Sequence, residues 1–354
     1  MNASQPEMVA REAIARAEAA GQSTRWEEAL AAYKSAVVLA GDDATAAAAR
    51  ADAWRGAAVV RLRLGRWAEA SSDAGESRRA AALLRDERRL ALAENLLGAI
   101  AFESGDWYEA GLRYGMAREY AGLIGDEPLL LEIENNEGVL WAASGDRRRA
   151  EESFRWALAR FEELDRHACG ARVLNNLAMV MVADCRFDEA EGLYGRALAE
   201  CKRRSDRGLA ATVMVNRARL ALSCDDVFRA HALAATAEIF CERLGDGPLD
   251  ADVACLKGAV ARTLCLWSEA EESLSRALQQ SAEGRAPLAE AEAWAELGEL
   301  HAARRRSKEA AEAWARAGRC YSALGAKEEG ERMAAKAAAW IEAEDLNGAG
   351  PACA

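Results

Sequence analysis

Proline is nearly absent from this sequence, five in 354 residues, so little interrupts a regular backbone. Only three histidines occur, His167, His231 and His301, far apart, and no HExxH, GxSxG, P-loop or GxGxxG accompanies them. A nucleophile–base set has no materials here, and no catalytic residues are expected. Nine cysteines stand without a CxxC or any clustered ligand spacing, which leaves reduced thiols and no metal or cofactor site. Cys185 and Cys265 precede a second helix, and Cys201 and Cys241 lie near its end, places that suit a small, half-buried residue. A positive excess is missing too. The net charge is −12 with both signs interspersed, the wrong field for a phosphate backbone, so no nucleic acid is expected as a partner. No run reaches about twenty uncharged apolar residues, and the N-terminal stretch holds no signal-type apolar core, so no membrane is expected and the chain reads as cytoplasmic.

What is abundant forms helices. The chain is 51% hydrophobic and 29% charged, and Ala, Leu, Glu and Arg fill it. A repeat is explicit: Trp26, Trp67, Trp107, Arg147, Phe187, Val227, Trp267 and Ser307 are separated by 41 residues once and by 40 thereafter. Three residues after every anchor stands an alanine, from Ala29 to Ala310, and ten after it an alanine or, once, Ser77. Seven after it the residue is mostly large, as in Tyr33, Tyr114, Phe154, Tyr194, Leu274 and Trp314, with Ala74 and Ala234 as exceptions. Steps of 3, 4 and 3 trace one helix face. Nine before every anchor is Ala or Gly, from Ala17 to Gly298, the mark of a close crossing by an earlier helix. Ser104-Gly105-Asp106 and Ser144-Gly145-Asp146 place a Gly stop and an Asp N-cap between the two helices. Each repeat is therefore an antiparallel hairpin, helix A then helix B.

The connections fit the same plan. Pro128 and Pro248 suit the first turn of a following helix A, and Ser4 to Glu7 has capping-box spacing that starts the first helix near residue 5. From Lys327 to Glu344 an amphipathic helix with Met333, Ala337, Trp340 and Ile341 on one side serves as a terminal cap. Four of the tryptophans, Trp26, Trp67, Trp107 and Trp267, share the anchor position and read as packing, whereas Trp141 and Trp156 fall outside the pattern and are expected to be partly exposed.

The succession Trp294, Leu297, Gly298, Ala310, Trp314 and Ala317, together with Gly-Asp-Trp-Tyr-Glu-Ala at 105–110, resembles the tetratricopeptide repeat. The longer, 40-residue unit is similar to the repeats of kinesin light chains and of the peptide-sensing Rap-type regulators of Gram-positive bacteria, with Leu174 to Ala178 as an echo. The resemblance implies an all-α, right-handed α-solenoid of about eight hairpins over residues 1–326, a capping helix at 327–345 and a flexible tail at 346–354.

In such a stack the A helices line the inner surface, and the family places ligand contacts there. With the invariably small residue counted as position 8, positions 2, 5, 6 and 9 share the inward stripe. Position 5 holds Asn95, Asn135 and Asn175, and position 6 holds Asn136, Asn176 and Asn216. Asparagine is a poor helix-interior residue, so something offsets six of them in register. Either they meet the backbone of an extended ligand, as resembling repeats do at position 6, or they bond to the adjacent repeat and fix the stacking. Arg172 and Arg219 sit at positions 2 and 9 and could meet a ligand carboxylate. Asp252, Glu292, Glu296 and Glu299 make the C-terminal part acidic, while Arg55 and Arg63 lie toward the other end. The expected partner is a protein or peptide held by a non-catalytic scaffold. The alternative is a ligand-responsive sensor that changes superhelical pitch, and a homo-oligomer is not indicated.

Overall fold

The structure, a computed structural model, describes residues 4–22, 25–41, 44–163, 167–244, 247–284, 287–324 and 326–348. Seventeen α-helices and no strand occur among them. The A helices are α1 (Gln5–Gln22), α3 (Ala47–Arg63), α5 (Glu87–Glu103), α7 (Glu127–Ala143), α9 (His167–Ala183), α11 (Arg207–Ser223), α13 (Gly247–Thr263) and α15 (Pro287–Ala303). The B helices are α2 (Trp26–Ala40), α4 (Trp67–Leu84), α6 (Trp107–Ile124), α8 (Arg147–Glu163), α10 (Phe187–Arg204), α12 (Val227–Leu244), α14 (Trp267–Gly284) and α16 (Ser307–Ala323), and α17 (Lys327–Gly348) follows. Each of the eight anchors is the first residue of a B helix. The chain divides into two compact units, 1–200 and 201–354.

Both units are built the same way. All eight alanines three residues into helix B are fully buried. Where position 8 of helix A is glycine, the large side chain of its own helix B lies against it. A Cβ at Gly98 would stand 2.6 Å from Tyr114 Cδ1, at Gly138 2.6 Å from Phe154 Cε1, and at Gly258 2.5 Å from Leu274 Cγ. Where position 8 is Ala58 or Ala218, the facing residues are Ala74 and Ala234, so the two sizes compensate. Tyr33 stands opposite Ala17 and turns instead onto Gly56 of the next repeat, where a Cβ would overlap its ring.

Caps follow the chemistry of the turns. Asp86, Asp106, Asp126 and Asp206 accept hydrogen bonds from the backbone N–H groups of Arg89, Glu109, Leu129 and Leu209, and Pro128 occupies the first turn of α7. Between helices A and B of the second to eighth hairpins the chain passes through a left-handed residue. It is Gly65, Gly105 and Gly145 early in the chain, then Cys185, Asp225, Cys265 and Arg305, each near φ 58°. Two cysteine expectations therefore need correcting. Cys185 and Cys265 are exposed turn residues in a strained conformation, not half-buried packing residues, while Cys201 and Cys241 are fully buried.

The last helix is more than a lid. It starts 40 residues after α15, in the register of a ninth helix A, and runs past the expected end at residue 345 to Gly348. Met333 and Ala337 are buried, but Trp340 and Ile341, expected on the same face, are exposed. Trp340 packs its edge on Trp314 with ring centres 5.4 Å apart. Trp156 is exposed, and Trp141 lies under the Arg149 guanidinium at 4.9 Å. No described helix is long and apolar enough to cross a membrane. Residues 349–354 of the expected tail lie outside the described residues.

Candidate functional site

Asn95 of α5, Asn135 and Asn136 of α7, and Asn175 and Asn176 of α9 come together on the A helices of the first unit. Asn136 Nδ2 donates to Asn95 Oδ1 and Asn176 Nδ2 to Asn135 Oδ1, both at 2.9 Å. Longer contacts of 3.4 Å join the neighbours, from Asn135 Nδ2 to Asn136 Oδ1 and from Asn175 Nδ2 to Asn176 Oδ1. Position 5 of one repeat thus accepts from position 6 of the next, and the amides bridge successive A helices. Asn135 and Asn175 are buried, whereas Asn95, Asn136 and Asn176 are half-buried. A carboxamide carries two N–H groups, so Asn136 and Asn176 each keep one beyond the bridge. The inter-repeat use of these side chains is visible directly, and it leaves the half-buried three with capacity to spare.

In the first unit, positions 2, 5, 6 and 9 of α1 and α3, with Leu92 of α5, wall a cavity of about 590 Å3. Arg89 grips Asp52 through two bonds of 2.9 Å and also holds Asp86. Arg88 holds Asp126 at 2.9 Å. These bonds raise the Arg89 guanidinium above its ordinary range and lower the Asp86 carboxyl, where they outweigh burial. Arg55, which faces the cavity, makes no ion pair among the described residues, and its Nε is buried without a partner. Arg172 of α9 is exposed and likewise makes no ion pair among the described residues. The Glu132 carboxyl of α7 is pushed above the usual carboxylate range by desolvation, against the pull of Arg172 and, more weakly, Arg55 and Arg88.

In the second unit the same stripe, on α13 and α15, walls a cavity of about 530 Å3 together with Arg219 of α11 and Lys336 of α17. Its acids are not free. Glu292 meets Arg219 at 2.6 Å, Asp252 meets Arg219 at 3.5 Å, Glu296 meets Arg262 at 3.0 Å, and Glu299 meets Lys336 at 2.5 Å. Trp314 Nε1 also donates to Glu299 at 3.1 Å. The C-terminal acidity expected from the sequence is therefore corrected: the carboxylates are answered by cations of neighbouring helices. Burial holds the Cys255 thiol well above its ordinary range and pushes the Glu296 carboxyl up, with Arg262 opposing the latter. Asn216 of α11 is buried, and Arg219 is bonded within the chain. Lys336 and Arg332 were not anticipated as wall residues, although the 40-residue step from Gly298 to Ala338 carried the signal.

The histidines stay apart. His231 is exposed, and His301 is half-buried with Nδ1 unpaired and its basicity lowered chiefly by burial. The side chain of His167 lies outside the described residues.

No family model and no curated protein matches the chain. Solved structures do match its fold. A Rap protein complexed with Competence and Sporulation Factor superposes with a TM-score of 0.64 at 11% identity, over 95% of this chain and 98% of the other. A Rap conjugation gene regulator of a plasmid, in complex with a Phr peptide, gives 0.64 at 14% identity, over 77% and 73%. A signal transduction ATPase from Pyrococcus horikoshii with a tetratricopeptide repeat sensor gives 0.57 at 12%, over 86% of this chain and 46% of the other. The fold is the tetratricopeptide repeat. Against the common tetratricopeptide unit of about 34 residues, the 40-residue spacing is taken up by longer helices, 17 residues in α5 and 18 in α6, and by no inserted domain.

Proposed function

We propose that the chain binds a protein or peptide along the A helices of its first unit and performs no catalysis. The observation that carries this is the unspent capacity of that stripe: amide groups of Asn95, Asn136 and Asn176 left over from bridging, beside Arg172 with no ion pair among the described residues. An extended segment would exchange backbone hydrogen bonds with the half-buried amides and set a carboxylate on Arg172. Asn135 and Asn175 would hold the ladder in place from below, and in the second unit Asn216 and Arg219 would serve chiefly to join repeats. The Rap structures in complex with a Phr peptide and with Competence and Sporulation Factor, similar in fold, support this reading.

A second reading makes the chain a regulator whose pitch responds to the ligand. It is favoured by the bridging amides, because a ligand that draws on Asn136 or Asn176 also touches the bonds that set repeat spacing. One experiment addresses both. Peptides selected from a displayed random library are titrated against the wild type and against Asn136→Ala with Asn176→Ala, with melting temperature and radius of gyration recorded alongside. The recognition reading expects affinity to fall about tenfold or more for each amide removed, with a small drop in melting temperature. Unchanged affinity with a large drop in melting temperature assigns the ladder to stacking alone. Compaction of the wild type at saturating peptide supports the regulator, and an unchanged radius supports a passive adaptor.

A further inference from the structure

The cavity among α1, α3 and α5 differs from the asparagine stripe in what it leaves unanswered. Its basic residues are engaged with one exception: Arg11 meets Glu7 at 3.0 Å, Arg88 meets Asp126, Arg89 meets Asp52, and Arg55 pairs with no carboxylate among the described residues. Its acids show the same pattern. Asp52 and Asp86 are held by Arg89, while Glu18 of α1 has no ion pair among the described residues. After internal pairing, one cation and one anion remain open on the same hollow. A guanidinium with a buried, unpartnered Nε is unfavourable in the empty protein and becomes favourable when a carboxylate arrives.

We propose that this hollow binds a small zwitterion, a free α-amino acid or a dipeptide, with its carboxylate on Arg55 and its ammonium on Glu18. The volume of about 590 Å3 is in the range of small-ligand sites. Ile14, Val59 and Leu92 supply apolar wall for a side chain. Tyr33 closes the floor, its ring seated on Gly56. Its phenol is raised above the ordinary range by burial first, then by Glu18, with Arg55 opposing, which places both charged groups within electrostatic reach of one point on the floor. A simple dianion such as phosphate is disfavoured, because Glu18 and Asp52 would face it across the hollow. The proposal goes beyond the macromolecular reading and does not need it, since the hollow lies on α1, α3 and α5 and the amide ladder on α5, α7 and α9.

The test is a titration of the full chain with the twenty free amino acids and a set of glycyl dipeptides, each compared with its N-acetyl and C-terminal amide forms and with inorganic phosphate. At least one zwitterion is expected to raise the melting temperature by about 1–3 °C at saturation, and blocking either end should weaken binding about tenfold or more. Arg55→Met should abolish the shift and Glu18→Gln should weaken it. Without ligand, Arg55→Met should melt at or above the wild-type temperature, because it removes no partner. Absence of a shift with every zwitterion, equal binding of the blocked forms, or tighter binding of phosphate would overturn the proposal. So would an Arg55→Met protein that melts well below the wild type, since that outcome makes the arginine structural. None of these results depends on library peptides, so failure here leaves the macromolecular reading standing.

Discussion

In the second unit Arg219, Arg262 and Lys336 each hold a carboxylate of another A-type helix, whereas in the first unit Arg55 and Arg172 hold none among the described residues. Both inner faces carry cations and anions, so composition does not separate them. Partnering does. On α13 and α15 the acids fall at positions 2, 6 and 9, where Arg219, Arg262 and Lys336 reach across. In the first unit Asp52 and Asp126 are taken by Arg89 and Arg88 from the start of α5 and Arg11 is held by Glu7, while Arg55 and Arg172 pair with no carboxylate among the described residues. A satisfied stripe joins repeats, whereas an unsatisfied one keeps the charges that the proposed ligand would meet.

For that contrast to be informative the cores beneath must be equivalent, and the largest expected effect tests this. Gly138→Ala in the first unit and Gly258→Ala in the second each push a Cβ to 2.6 or 2.5 Å from a facing side chain. Each should cost about 1–3 kcal/mol by overpacking, measured by denaturant unfolding. Gly115→Ala, with open space around its Cβ, should be neutral or stabilise by up to about 1 kcal/mol through helix propensity. Unequal costs at Gly138 and Gly258 would trace the contrast to the core and not to the inner face.

The next effect separates the faces themselves. Arg219→Met strands Glu292 beside the cavity and should cost about 1–2 kcal/mol, less than a fully buried pair because the Arg219 side chain is 38% exposed. Arg172→Met, which breaks no ion pair among the described residues, should stay within about 0.5 kcal/mol of the wild type while weakening peptide binding. Equal losses at both positions in thermal unfolding would erase the distinction drawn between the units.

These partnerships mark where the sequence stops being readable. The period, the buried alanines and the stripe positions were legible because helix geometry is local: a spacing of 3 or 4 determines which side chains share a face. The helix B starts were legible for the same reason, down to the single residue. Pairing between Arg219 and Glu292 was not, because it joins side chains 73 residues apart whose reach depends on how the repeats are stacked. The same limit made the C-terminal stripe read as acidic and made two uses of the asparagines indistinguishable until Asn136 was seen bonded to Asn95. Gly105 and Gly145 announced the left-handed turn, but Cys185, Asp225, Cys265 and Arg305 carry no such signal, since ordinary residues rarely adopt it.

Those turns give the smallest effect and a last contrast between the units. Gly65, Gly105 and Gly145 relieve the left-handed position in the first unit, where Cys185 alone departs among the described turns, while Asp225, Cys265 and Arg305 bear it in the second. A side chain there costs roughly 1–2 kcal/mol relative to glycine, and glycine gives back about 0.5–1 kcal/mol in unfolded-chain entropy. Cys265→Gly should therefore stabilise by about 0.5 kcal/mol net, and Gly105→Ala should destabilise by a similar amount. Because Cys265 is exposed in its turn, the change touches no packing and its effect isolates the backbone. A loss of stability in Cys265→Gly, read as a lower denaturation midpoint, would show that the turns of the second unit are held by something other than tolerated strain.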